Sequence, residues 1–396
     1  MRNMKTIKLI LSLALMMALV FNAGAHEGHD HGPPLAVSMA LDAQGSLWRV
    51  SVKDGFVLVG QSKTASVLAF SAQQKLNSQA QKIGTDGDAR PKIAIAQNGN
   101  IYVTWTQALP TPYSGYIWFS RSIDGGRTFS QPSIVHQDRA EITHRFDALA
   151  VSPSGRIYVA WVDKRDLIAA KKAKQAYDGA AIYYAVSDDQ GVSFGAEQKV
   201  ADSSCECCRI AMIANEKGDA VMMWRHLFDG GVRDHAIAKI GVNEKSPKIH
   251  RASFGQWKIN ACPHHGPAFA KGGDWGYHMA WFDGGDKAGL FYARMDGEAW
   301  VSSPAKRFGD ANSQAGHPAL ISDGEQVWLV WKEMTDTASL VKLVKSSDGG
   351  RAWEVPVVIS QTKGKSDYPQ LLLKNGQAYL AWNTELDGLV WTKVAQ

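Results

Sequence analysis

Two short segments hold the residue types with the most chemistry. One is Cys205-Glu206-Cys207-Cys208-Arg209, and the other is Cys262-Pro263-His264-His265-Gly266-Pro267. Thiolate and imidazole select Cu(I), Cu(II) or Zn(II) over Mg or Ca. All four cysteines lie between Cys205 and Cys262. Three readings stand side by side: a Cys/His metal site, two disulfides in one of three pairings, or one disulfide beside a histidine-based site. A third cluster, His26-Glu27-Gly28-His29-Asp30-His31, is polar and lacks apolar periodicity. It is expected to be disordered without a ligand and to act as a capture tail for copper, zinc or nickel, or to be a polar leader with no ligand at all.

The first 25 residues read as a cleavable export signal. Arg2, Lys5 and Lys8 form its basic part, Ile10 to Phe21 its apolar part, and Ala23-Gly24-Ala25 a small-residue cleavage site. The apolar part is too short to span a bilayer comfortably, and no other stretch is long enough to try. Cleavage after Ala25 would expose the amine of His26, which can chelate copper together with its own imidazole. The mature chain is therefore expected in the periplasm or outside the cell, where oxidising conditions favour disulfides. The whole sequence carries a net charge of +5, and the export signal alone holds three of the cations and no acid. What remains is nearly balanced, which gives no basis for a nucleic-acid partner.

The elements that must position these segments recur seven times. Each unit is an apolar run, a polar turn and a second run ending near a tryptophan. Trp105, Trp161, Trp224, Trp281, Trp331 and Trp382 are spaced 56, 63, 57, 50 and 51 residues apart, and Leu47-Trp48-Arg49-Val50-Ser51 is a weaker first copy. A strand-rich repeat of this length cannot bury both faces alone and implies an all-β propeller. Seven four-stranded antiparallel blades are expected over residues 35–396 as a single domain, after the export signal (1–25) and the His-rich leader (26–34). The last unit has room for three strands, Gln370–Leu373, Ala378–Trp382 and Leu389–Lys393. The alternative is a six-bladed closure in which the first and last units share a blade. In blade one, later strands are expected at Phe56–Gly60 and around Val67–Phe70. Asp166 to Tyr177 is Ala/Lys-rich and reads as a short basic helix inserted in blade three, either a lid or a surface decoration.

A second repeat sits inside the first. Ser122-Ile123-Asp124-Gly125-Gly126-Arg127-Thr128-Phe129 returns as Ser187 to Phe194, as Ser346 to Trp353, and in shortened form as Met295 to Trp300. These resemble the Asp-boxes, or BNR repeats, of sialidase-like propellers. Asp folds its carboxylate onto nearby backbone N–H groups and Gly supplies φ > 0, so the role is structural. If these turns join strands three and four, the opposite face carries the entries to the first strands. That places Arg90, His144-Arg145, Cys205 to Arg209, Cys262 to His265, His317 and Tyr368 around the channel mouth. The exits of the second strands add Asp163, Arg225-His226, Asp283, Glu333 and Glu385.

The Cys-x-Cys-Cys and Trp257-Lys-Ile-Asn-x-Cys-Pro-x-x-Gly-Pro segments further resemble an exported bacterial subgroup of sialidase-like propellers that is labelled exo-α-sialidase by similarity. The resemblance implies the fold and raises an acidic-sugar glycosidase as one functional reading. Sialidase chemistry needs three arginines around a carboxylate, a Tyr nucleophile activated by Glu, and an Asp acid/base. Arg90, Arg145 and Arg209 fall on three consecutive blades, Tyr368 is a candidate nucleophile with Glu333 or Glu385 near it, and no Phe/Tyr-Arg-Ile-Pro segment occurs near the first blade. The favoured reading is a non-hydrolytic propeller that binds a transition metal, copper before zinc. Its donors are Cys205, Cys207, Cys208, Cys262, His264 and His265, with His317 or His144 across the mouth and His26, His29 and His31 assisting. The other readings are the glycosidase and a propeller that docks a periplasmic protein partner, its cysteines forming structural disulfides. No organic cofactor is expected.

Overall fold

The runs that end in the repeated tryptophans form the second strands of antiparallel meanders. The computed structural model describes residues 34–394 apart from 63–67, 242–243, 245, 262 and 310. The export signal and the histidines at 26, 29 and 31 lie outside the described residues, and so does Cys262. Among the described residues there are seven sheets, six of four strands and a last one of three. Blade three, for example, is His144–Val151, Ile157–Asp163, Ala180–Ser187 and Gln198–Ser204, and blade four is Ala211–Ala214, Ala220–Arg225, His235–Ile240 and His250–Arg251. Blades five and six start at Ala268–Lys271 and Gly316–Asp323. Blade seven is Gln370–Lys374, Gln377–Thr384 and Gly388–Lys393, a sheet separate from the first, so the ring is seven-bladed and not the six-bladed alternative.

The second strands are legible because both their faces are buried. Every residue of Ile157–Asp163 is buried, as is every residue of Ala220–Arg225. The core lies between blades. Trp48, Val50 and Val57 of blade one pack against Ile101, Val103 and Trp105 of blade two, and equivalent clusters follow around the ring. Each buried indole also needs a partner for its N–H. Trp161 donates to Asp163 Oδ2 (2.8 Å), Trp331 to Glu333 Oε1 (2.7 Å) and Trp382 to the Asp367 carbonyl (2.9 Å).

The outer strands leave little sequence signal. The fourth strand of blade one is Gln74–Lys75, not the segment around Phe70 that its hydrophobicity suggests. Phe70 instead packs under the Arg49 guanidinium, 4.3 Å from its ring centroid. The helix in blade three is present over Arg165–Lys172 and is tied down, with Asp166 accepting from Tyr183 Oη (2.9 Å) and Arg165 paired with Asp163 and Glu197.

The Ser-x-Asp turns join strands three and four as expected, and they also clamp one blade to the next. Asp124 accepts from Thr128 N (3.0 Å) and Thr128 Oγ1 (2.6 Å), while Ser122 Oγ accepts from Gly126 N (2.8 Å). Asp189 repeats this with Ser193, whose hydroxyl and backbone N–H hold its carboxyl down at about 2. The glycine two residues after the Asp of each turn lies against an aromatic ring of the preceding blade. A Cβ on Gly126 would stand 2.1 Å from Trp48, one on Gly191 2.5 Å from Phe119, and one on Gly350 1.8 Å from Tyr292 Oη.

This contact predicts a contrast within one turn. Gly125 and Gly126 have φ of 69° and 82°, but a Cβ on Gly125 meets nothing within 4 Å. Gly125→Ala should carry only the backbone cost of a left-handed conformation, roughly 1–2 kcal/mol. Gly126→Ala should add overpacking of roughly 1–3 kcal/mol. Urea unfolding of the two variants measures the difference, and equal losses would show that Trp48 does not constrain the turn.

Candidate metal-binding site at the channel mouth

The segments that enter the first strands converge, and arginines tie them together. Arg209, ahead of blade four, donates to Asp88 Oδ1 ahead of blade two (3.0 Å), to the Pro267 carbonyl ahead of blade five (3.2 Å) and to the Pro318 carbonyl in blade six (2.8 Å). Arg90 grips Asp367 through both terminal nitrogens (2.7 and 2.6 Å) and donates to the Val37 carbonyl (2.7 Å), which joins the start of the ring to its end. Arg225 is 1 % exposed and donates to the carbonyls of Arg233, His265 and Phe282.

The cysteines sit in the turn between blades three and four. Cys205 follows the last strand of blade three, and its N–H donates to the Arg225 carbonyl (2.9 Å). The turn points Glu206 outward to an ion pair with Lys164 and folds Cys205, Cys207 and Cys208 into the core, each no more than 5 % exposed. All three are free thiols. Cys205 Sγ lies 3.7 Å from Cys207 Sγ and 3.6 Å from Cys208 Sγ, and the three sulfurs lie within 4.8 Å of one another. No imidazole joins this group among the described residues.

The surroundings of the Cys205 sulfur favour its thiolate form. The Cys207 and Cys208 thiols donate to it and hold its pKa well below the ordinary thiol value, against the burial that would raise it, with the Arg225 charge and the Cys207 N–H adding to the effect. Arg233 Nη1 also donates to Cys205 Sγ, at 3.4 Å. The Cys208 thiol, hydrogen-bonded to Cys205 and buried, is pushed up and keeps its proton. Arg233 also lines a cavity of about 570 Å³ with Ser203, Phe228, Lys258 and Asn260, so a path from solvent ends on the guanidinium that holds Cys205.

The histidines expected beside the cysteines group elsewhere. The His265 ring packs on Phe282 (centroids 4.2 Å apart) and on His317 (4.5 Å), and His317 stacks on Tyr368 (3.5 Å, planes 12° apart). His264 faces Phe146, at 6.4 Å between centroids. His144 stacks on His136 (3.9 Å) between blades two and three, with its Nδ1 on the Gly115 carbonyl and Nε2 3.7 Å from Asp163. Burial first, and the neighbouring His144 second, lower the His136 pKa to about 3.

The residues carried over from sialidase chemistry are engaged in other contacts. Arg90 and Arg209 hold Asp367 and Asp88, and Arg145 lies over the Phe146 ring at 4.9 Å. Glu333 accepts from Trp331 and pairs with Lys342 Nζ (2.7 Å), and Glu385 accepts from Lys365 N (3.1 Å). Burial, and then the charges of Asp88 and Asp86, raise the Tyr368 pKa. Arg233 and Asp88 were not legible as site residues. Arg233 lies in a loop between strands of blade four, and Asp88 takes its meaning only from Arg209 across the ring.

No protein-family model and no curated protein sequence matches the chain. Solved structures match in fold. A PL25 ulvan lyase bound to its GlcA-Rha3S fragment aligns with a TM-score of 0.55 at 14 % identity, covering 92 % of this chain and 93 % of the lyase. The BP39L lectin from Burkholderia pseudomallei aligns at 0.56 and 12 %, covering 92 % and 100 %. The intramolecular trans-sialidase from Ruminococcus gnavus aligns at 0.51 and 10 %, covering 76 % and 93 %. Identities this low establish a shared propeller and leave the chemistry to the residues of the site.

The thiolate has a titration consequence. Its pKa is lowered, so the metal-free cluster should keep a thiolate to lower pH than an ordinary cysteine does and lose it as pH falls through the lowered value. Removing the Arg233 charge in Arg233→Met should shift the midpoint of thiolate ultraviolet absorbance upward. An unchanged midpoint would show that the guanidinium does not stabilise Cys205.

Proposed function

We propose that this is an exported propeller that binds one transition-metal ion, copper as Cu(I), through Cys205, Cys207 and Cys208. The observation that carries this reading is the sulfur geometry. Sulfurs about 2.3 Å from a common centre stand about 3.8 Å apart in a tetrahedral site and about 4.0 Å apart in a trigonal one, within a few tenths of an ångström of the spacing found. The sulfurs are already at 3.6 and 3.7 Å from Cys205. A set of three soft donors in a dry turn selects a soft ion. With Cu(I) the site would be doubly anionic, and the guanidiniums of Arg225 and Arg233 supply the two compensating charges. Zinc with Cys262 as fourth donor is the neighbouring case.

The separation of the histidines refines the ligand set. His264, His265, His144 and His317 have other partners, so the ion is held by sulfur alone. The leader histidines His26, His29 and His31 act at most as a capture tail that passes the ion to the cysteines. A periplasmic donor or acceptor protein is the natural partner, docking where the cavity beside Arg233 opens.

Anaerobic loading followed by desalting tests the proposal. One copper ion per chain should remain, and it should remain in the His264→Ala/His265→Ala variant and after deletion of residues 26–34. Cys205→Ser should weaken binding by about a hundredfold or more, because each lost thiolate also lowers the charge that holds the ion. Copper that leaves with the leader and is indifferent to Cys205 would place the ion on the tail.

A further inference from the structure

The imidazole stack left out of the thiol cluster borders a second cavity, of about 380 Å³, between blades five and six. Its polar wall is His265, His317, Gln314 and Lys332, and its apolar wall includes Phe282 and Met334. The Nδ1 atoms of His265 and His317 are both buried and have no hydrogen-bond partner. Lys332 Nζ donates to the Ser366 carbonyl (3.1 Å), which leaves further N–H bonds to direct elsewhere.

The cavity is shaped at a cost. His264, Gln314 and His317 adopt φ of 51°, 51° and 53°, in the left-handed region that non-glycine residues avoid. Such strain collects where surrounding structure over-determines a conformation. Gly316 is needed for the same reason, since a Cβ there would stand 2.8 Å from the His265 ring.

The charge around the cavity decides what it can hold. Arg225 donates to the carbonyls of His265 and Phe282, and Arg209 donates to the Pro318 carbonyl beside His317. The carboxylates nearest by sequence and contact are matched already: Asp88 with Arg209, Asp367 with Arg90, and Glu333 with Lys342. Lys332 on the wall has no carboxylate salt-bridge partner among the described residues. A cation would meet like charge here, whereas an anion would meet the Lys332 ammonium beside the His265 and His317 rings.

We propose that this cavity is a binding site for a small organic carboxylate, its oxyanion held by the Lys332 ammonium beside the imidazoles of His265 and His317 and its apolar body lying against Phe282 and Met334. The apolar wall distinguishes this ligand from a sugar, whose hydroxyls would find few partners there. The inference does not depend on the thiol cluster.

Benzoate, benzyl alcohol and sodium sulfate are the probes, titrated into the full chain and followed by calorimetry. Benzoate should bind, and benzyl alcohol and sulfate should each bind at least about tenfold more weakly, since each lacks one half of the recognition. Lys332→Met and, separately, His265→Phe should each weaken benzoate about tenfold or more without lowering the unfolding midpoint. If a variant fails to fold, the order of the three probes on the natural chain decides alone. Benzyl alcohol binding as tightly as benzoate, or no benzoate binding at concentrations on the order of 10 mM, would overturn the assignment.

Discussion

The structure depends on arginines buried where seven blades open onto one axis. Every blade entry brings backbone carbonyls into a space with little water, and buried acceptors must be paired. Arg209 pairs carbonyls ahead of blade five and in blade six and a carboxylate ahead of blade two. Arg90 does the same for the two ends of the ring, where among the described residues no ladder runs from the last sheet to the first. Breaking such a buried pair from one side leaves a charge uncompensated, a loss of roughly 3–5 kcal/mol. The same cations set the chemistry of the mouth. Arg225 favours the thiolate at Cys205, and after burial it is Arg225 and then Arg209 that disfavour a proton on His265.

Much of the fold was legible because its second strands are buried on both faces and end in a tryptophan whose N–H needs a nearby acceptor. That combination repeats in the sequence, and with it came the seven units and the three strands of the last. The outer strands were not legible. Gln74–Lys75, Ser133–Ile134 and His250–Arg251 are two residues long, and so short a span has no periodicity to read. Phe70 misled because a half-buried aromatic under an arginine has the same hydrophobicity as a strand residue.

The site was legible by position and less so by partnership. Repeat alignment put Cys205, Cys207, Cys208, His265, His317 and Tyr368 at blade entries. It could not say that His265 would turn to Phe282 and His317 and away from the cysteines, since that follows from the left-handed backbone at His264 and His317 and from the space at Gly316. Nor could it give the arginines their roles. Arg90 and Arg209 look like carboxylate-binding residues in a sialidase-like sequence, yet their hydrogen bonds go to the protein's own carboxylates and carbonyls. The likeness to a lyase, a lectin and a trans-sialidase therefore describes the scaffold, on which function is set by the few side chains at the mouth.

X-ray absorption at the copper edge of the loaded protein tests the central claim most directly. The account predicts an inner shell of sulfur only, with three scatterers and no imidazole signature, unchanged when His264 and His265 are both replaced by alanine. A shell dominated by nitrogen or oxygen, or one that collapses in the histidine variant, would contradict it.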